Sequence, residues 1–137
     1  MPTRIPPCPY IVYHQGVRYF GAGGAMGFDT MAALAVLRMK IFYPQIRLIL
    51  VLPCKTQTKG WDKVNKKLYN QIRRDADKVV YISRQYVPGC MQMRNRHLVD
   101  SSSVCICCLT IPESGTAYTV KYAEQQGLRV INLVPPP

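Results

Sequence analysis

Four glycines fall in seven positions between Gly21 and Gly27, at the end of an apolar run and just ahead of an acid, Asp29. Glycine lets a backbone turn at positive φ and lets a ligand approach main-chain N–H groups. Where such a turn opens a helix, the free N–H groups and the helix dipole favour an anion, a phosphate above all. Two familiar phosphate loops are excluded by residue type. A P-loop needs a Lys followed by Ser or Thr at its end, and FGAGGAMGFDT has no Lys. The dinucleotide fingerprint needs glycine where Met26 stands, and the ribose-binding acid expected about 20 residues on is missing, because the next strand runs into Leu52, Pro53 and Cys54. Gly23, Gly24 and Gly27, with Asp29, are therefore a glycine turn of another kind, whose plain alternative is a tight strand-to-helix connection.

Two further stretches carry suitable groups. PGCMQMRNRHLVD, Pro88 to Asp100, sets Arg94, Asn95 and Arg96 side by side. Arginines two apart cannot share a helical face, so one can reach a ligand while the other faces out or pairs. Arg94 shares a face with Met91 and Leu98, and Asn95 neighbours it. A guanidinium fork suits phosphate, and an amide suits a base or sugar edge. A solvated basic helix face is the plain reading of the same residues. PESGTAYTV, Pro112 to Val120, puts Gly115 and Thr116 where a helix begins, so N–H groups and the Thr116 hydroxyl can hold a second phosphate or a ribose. A simple N-cap by Ser114 or Thr116 is the alternative.

Catalytic sets are scarce. The histidines are His14 and His97; His97 can pair with Asp100, but no nucleophile is near either in sequence. Cys90 at a helix start has the position of an activated thiol, and an idle buried thiol is the plainer reading. Asp29, Asp100 and Glu113 are the acids near the marked loops. Catalytic residues and cofactors stay unassigned, and no metal site is expected: a tetrahedral zinc site usually shows two spaced ligand pairs, and no CxxC pair occurs.

These groups must be held by a framework, and the pattern supplies one. Apolar runs at Val17–Phe20, Arg47–Leu52, Lys78–Ser83, Ser103–Leu109 and Arg129–Leu133 read as strands, with Pro53 ending the second. Asp29–Lys40, Trp61–Ala76, Gly89–Asp100 and Gly115–Gln126 read as helices, the last stopped by Gly127. Strand and helix in alternation give βαβ units: a Rossmann-like three-layer α/β/α fold with a mainly parallel sheet. In such sheets ligands bind beyond the carboxyl ends of the strands, where the marked loops lie.

The 137 residues suit one domain: an irregular start over 1–15, a core over 16–133 and a tail over 134–137. The net charge of +11 favours an anionic partner, and seven cations stand against three aspartates from Lys59 to Lys78. Six cysteines, with Cys105, Cys107 and Cys108 in one strand-like run, read as reduced thiols of a cytoplasmic protein. The N-terminus has no long apolar segment, so no secretory signal is expected. The longest apolar run is broken by Pro44, Gln45 and Arg47, so no membrane insertion is expected.

Taken together, GGAMGFDTMAA, LILVLPCKTQTKGW, ADKVVYIS, YVPGCMQMRNRHLVDSSSVCI and GTAYTVKYAEQQGLRVINL resemble the YpsA-like bacterial proteins of the SLOG superfamily. That superfamily of Rossmann-like nucleotide-binding folds includes the Lonely Guy phosphoribohydrolases and the DNA-processing protein DprA. The resemblance covers Gly16 to Leu133. It implies a nucleotide-like ligand held by Gly23, Gly24, Gly27 and Asp29, polar contacts from Arg94 and Asn95, and a phosphate turn at Gly115 and Thr116. Two departures bear on function. Lonely Guy enzymes carry GGxGTxxE, with a glutamate in glycosidic cleavage; here SGTAYT puts Ser114 for a glycine and Thr119 for the glutamate, so that activity is not carried over. YpsA-like proteins open on a strand with a TGHR-like motif, absent here, so a central strand is missing and the N-terminal segment or a partner subunit is expected to fill its place. A homodimer is implied on the same ground. The reading is a nucleotide-binding or sensing domain. A hydrolase of a nucleotide derivative is the alternative, and a DprA-like single-stranded nucleic-acid module ranks third.

Overall fold

The computed structural model describes residues 16–107 and 115–133. Strands and helices alternate as β1 (Tyr19–Ala22), α1 (Phe28–Met39), β2 (Arg47–Cys54), α2 (Lys63–Asp75), β3 (Lys78–Ser83), α3 (Cys90–Asp100), β4 (Val104–Cys107), α4 (Gly115–Gln125) and β5 (Arg129–Asn132). Every ladder among the described residues is parallel: β1 with β2, β2 with β3, and β4 with β5. The expected Rossmann-like α/β architecture is therefore the observed one. The expected irregular start and tail lie outside the described residues.

β2 is the spine because its sequence tolerates burial on both faces. Leu48, Leu50 and Leu52 point to one side, where they pack with Phe20 and Ala22 of β1, Ala33 and Val36 of α1, and Tyr69 and Ile72 of α2. Ile49 and Val51 point to the other side, which α3 covers. Pro53 does not end the strand, contrary to expectation: the ladder reaches Cys54 opposite Ser83. The reason is edge geometry. β1 stops opposite Leu50, so no neighbour among the described residues on that side requires an N–H from Pro53. β1 itself begins and ends two residues later than expected and carries the chain into the glycine turn.

Local chemistry fixes the helices. Asp62 caps α2, its carboxylate accepting from the Asn65 backbone N–H at 3.3 Å and from the Asn65 amide at 2.7 Å. Asp77 ties three elements: one oxygen accepts from the Leu48 N–H at 2.8 Å, the other from Lys40 Nζ at 2.5 Å, just as β3 starts.

The sheet is in two parts, β3–β2–β1 and β4–β5. Among the described residues β1 and β4 have a ladder on one side only, and a cavity of about 710 Å³ lies between them. The resemblance implies that a central strand is missing from this sheet. The N-terminal segment expected to fill it lies outside the described residues.

Candidate ligand-binding site

The cavity is roofed by the glycine turn. The turn exists because strand β1 delivers the chain to Ala22 and helix α1 starts only at Phe28, leaving five residues to reverse direction. Gly24 and Gly27 carry it at φ of 76° and 86°. A side chain at Gly24 would meet Leu52 Cδ2, with Gln57 Oε1 and Tyr69 Cε2 each 3.4 Å from its Cβ. A Cβ on Gly23 would sit 2.5–2.9 Å from the Arg94 guanidinium. Gly23 and Gly24 are there for close packing of side chains onto the turn as much as for any ligand.

Arg94 is the centre of this packing. It is buried, at 6% exposure, whereas Arg96 and His97 on the same helix are exposed. Its Nη1 donates to the Gly23 carbonyl, its Nε donates to Asn95 Oδ1 at 2.6 Å, and Nη2 lies 4.0 Å from the Met91 sulfur. Burial lowers its pKa, and the charge of Asp29 opposes that. Asp29, in the first turn of α1, accepts from the Ala25 N–H at 3.2 Å. Burial pushes its carboxyl above the usual range, while Arg94 and the Ala25 N–H pull it back. A buried cation and a carboxyl inclined to keep its proton thus share one end of the cavity.

Of the residues expected to bind ligand, Gly23, Asp29, Arg94, Asn95 and Thr116 line this cavity. Gly24 faces a much smaller space, of about 10 Å³, beside Tyr69. Gly27 is the N-cap position of α1, and Gly115 is the first residue of α4. The rest of the turn before α4, with Ser114 and Glu113, lies outside the described residues. Arg96 takes the outward role open to one of the two arginines. It donates to the Tyr118 hydroxyl and lies over the Tyr118 and Tyr122 rings at 5.8 and 5.6 Å. Asp100 accepts from the Tyr122 hydroxyl at 2.7 Å, and Cys90 is fully buried, so neither stands ready for chemistry at the cavity.

Gln57 was not among the expected site residues. It is 8% exposed, its Nε2 reaches the Gly23 carbonyl at 3.5 Å, and its Oε1 has no partner among the described residues. Its only sequence signal is its place in the loop after β2, one of the loops that follow a strand. Tyr69 packs beneath the same turn, and burial pushes its hydroxyl up to about 12.

Comparison with known proteins adds identity to this geometry. The sequence profile of the YspA SLOG family (YpsA) matches residues 10–131. The chain is similar to the protein titled "Uncharacterized SPbeta prophage-derived protein YoqJ" of Bacillus subtilis, 28% identical, covering 77% of this chain and 69% of that one. It is also similar to UPF0398 proteins of Halalkalibacterium halodurans (32% identical, 64% of this chain, 48% of the relative) and Bacillus thuringiensis (26% identical, 82% and 63%). The chain thus spans roughly half to two thirds of the length of these relatives.

Proposed function

The chain belongs to the YspA SLOG family, and from that premise we propose that it binds or senses a nucleotide or nucleotide-derived ligand at the glycine turn. One observation carries the reading. Arg94 and Gln57 both converge on the Gly23 carbonyl at the end of a 710 Å³ cavity, with Asp29, Asn95 and Thr116 on its wall. A rigid turn with a few placed polar groups around a roomy, mainly apolar cavity is what a small-molecule site requires. Gly24 and Gly27 hold the turn, and Gly115 with Thr116 opens α4 toward a phosphate or ribose. Native mass spectrometry of gently purified protein, followed by denaturation, tests it. A near-stoichiometric nucleotide derivative is the expected release. No release, and no binding from an offered nucleotide panel, overturns it.

A second reading has one observation in its favour. Cleavage of a nucleotide derivative needs a carboxyl in the cavity, and Asp29 lines it with a raised pKa, suited to a general acid. In that case a free base with ribose phosphate, or a dephosphorylated product, is released, and Asp29→Asn binds but does not turn over. Cytoplasmic residence and a homodimer across the interrupted sheet belong to the same proposal. Light scattering on the eluted protein tests the dimer.

A further inference from the structure

Helix α2 carries a feature that the cavity does not use. At 3.6 residues per turn, Lys63, Lys66, Lys67, Asn70, Arg73 and Arg74 fall in one stripe about 120° wide and about 16 Å long. All six are exposed, while Tyr69 and Ile72 on the opposite side are buried in the core. The ion pairs among the described residues are Lys40 and Arg47 with Asp77; none involves the stripe. Asp62 is spent on the helix cap, and Asp75 lies off the stripe at the helix end. Arg73 donates to the Asn70 side chain at 3.1 Å. Like charges three and four residues apart, as at Lys63, Lys66 and Lys67, destabilise a helix unless an anion relieves them.

We propose that this face of α2 docks on the phosphate backbone of double-stranded nucleic acid without reading its sequence. Five cations spread along about 16 Å do not converge on one small anion, but they match a duplex, which carries one negative charge per about 1.7 Å of axis. A single strand is usually gripped by stacking its bases on rings. No ring lies on the stripe: Tyr69 is buried, and Trp61 packs edge-on against it at 5.5 Å. A membrane surface is disfavoured because the apolar side of α2 already faces the core, leaving Val64 as its exposed large apolar residue.

The test is fluorescence anisotropy of a labelled mixed-sequence duplex titrated with the full chain over a series of salt concentrations. Five phosphate contacts give a slope of log affinity against log salt of about −4.5. Lys66→Gln/Lys67→Gln/Arg74→Gln lowers its magnitude by about 2.7. Arg38→Gln/Lys121→Gln/Arg129→Gln removes equal charge from exposed sites elsewhere and leaves the slope unchanged. Circular dichroism checks that both variants are folded; should the triple variant not fold, Lys67→Gln alone is expected to reduce the slope by about 0.9. Equal losses in both triple variants, tighter binding to a single strand of the same length, or binding to phosphatidylserine vesicles without duplex binding overturns the proposal.

Discussion

Gly24 and Gly27 look alike in sequence but differ in what surrounds them. Both sit at positive φ, so any side chain there costs about 1–3 kcal/mol in backbone strain. A Cβ at Gly27 meets nothing within 4 Å among the described residues, whereas one at Gly24 runs into Leu52 and lies against Gln57 and Tyr69. Gly27→Ala should therefore lose only the strain, while Gly24→Val should lose about 1–3 kcal/mol more through overpacking. Urea unfolding midpoints separate the two. Asp29 makes a second prediction at this scale. Because burial raises its pKa above 3.8, the folded state keeps a proton that the unfolded chain has already released. The unfolded state binds fewer protons, so this group's contribution to stability falls as pH rises from 3.8 through the folded pKa. Asp29→Asn should flatten that fall and leave neutral-pH stability no lower than before, read by urea unfolding across the acid range.

The elements are joined at points where one side chain serves several of them. Asp77 at the start of β3 is the clearest case. Burial alone would raise its pKa, but the Lys40 ammonium, the Leu48 N–H and the charges of Lys40 and Arg47 together hold it below 3.8. Its sign is opposite to that of Asp29: its stabilising contribution is present above 3.8 and is lost as pH falls through the folded value. Asp77→Asn should shift acid unfolding to a higher pH than Lys121→Gln, a control away from this junction, when both are followed by circular dichroism. Element boundaries were largely legible in the sequence. β3 runs Lys78 to Ser83, the bounds expected from its apolar run, and Gly127 at φ 83° follows α4 as a helix stop. Of the two-residue boundary shifts among the described residues, those of β1 and the end of β2 lie near the glycine turn, where pairing with a neighbour rather than local propensity decides how far a strand extends, and a third is the start of α2, at Lys63 rather than Trp61, where Asp62 caps the helix.

At the scale of the whole molecule, the cohesive core lies on one side. The cluster of buried residues draws on β1, β2, α1 and α2, with Val79 and Tyr81 of β3 packed against it. β4, β5 and α4 stand across the 710 Å³ cavity and touch the rest chiefly through α3. Leu50→Ala should cost about 2–5 kcal/mol, because it opens a hole in the core cluster. Ile131→Ala, at a half-buried position on β5, should cost less. Native-state hydrogen exchange should likewise show β2 amides opening only with global unfolding and β4–β5 amides through a smaller opening. Exchange at the same free energy in both halves would mean that the cavity does not divide the molecule energetically.

The sequence by itself determined the alternation of strands and helices, the parallel class of the sheet and the glycine turn ahead of Asp29. These follow from apolar periodicity and from residues whose backbone freedom is intrinsic. It also pointed to Arg94 and Asn95, through a guanidinium and an amide on a helix that follows a strand. Only the tertiary structure decided that Arg94 is buried on the Gly23 carbonyl, 71 positions away, and that Gln57 joins it there. Only the fold, too, showed a cavity between β1 and β4, and that the cationic face of α2, which helical spacing already sets out in the sequence, makes no ion pair among the described residues. Local pattern sets what each segment becomes. Which distant side chains end up sharing a space depends on how the segments pack, and no single stretch of chain carries that information.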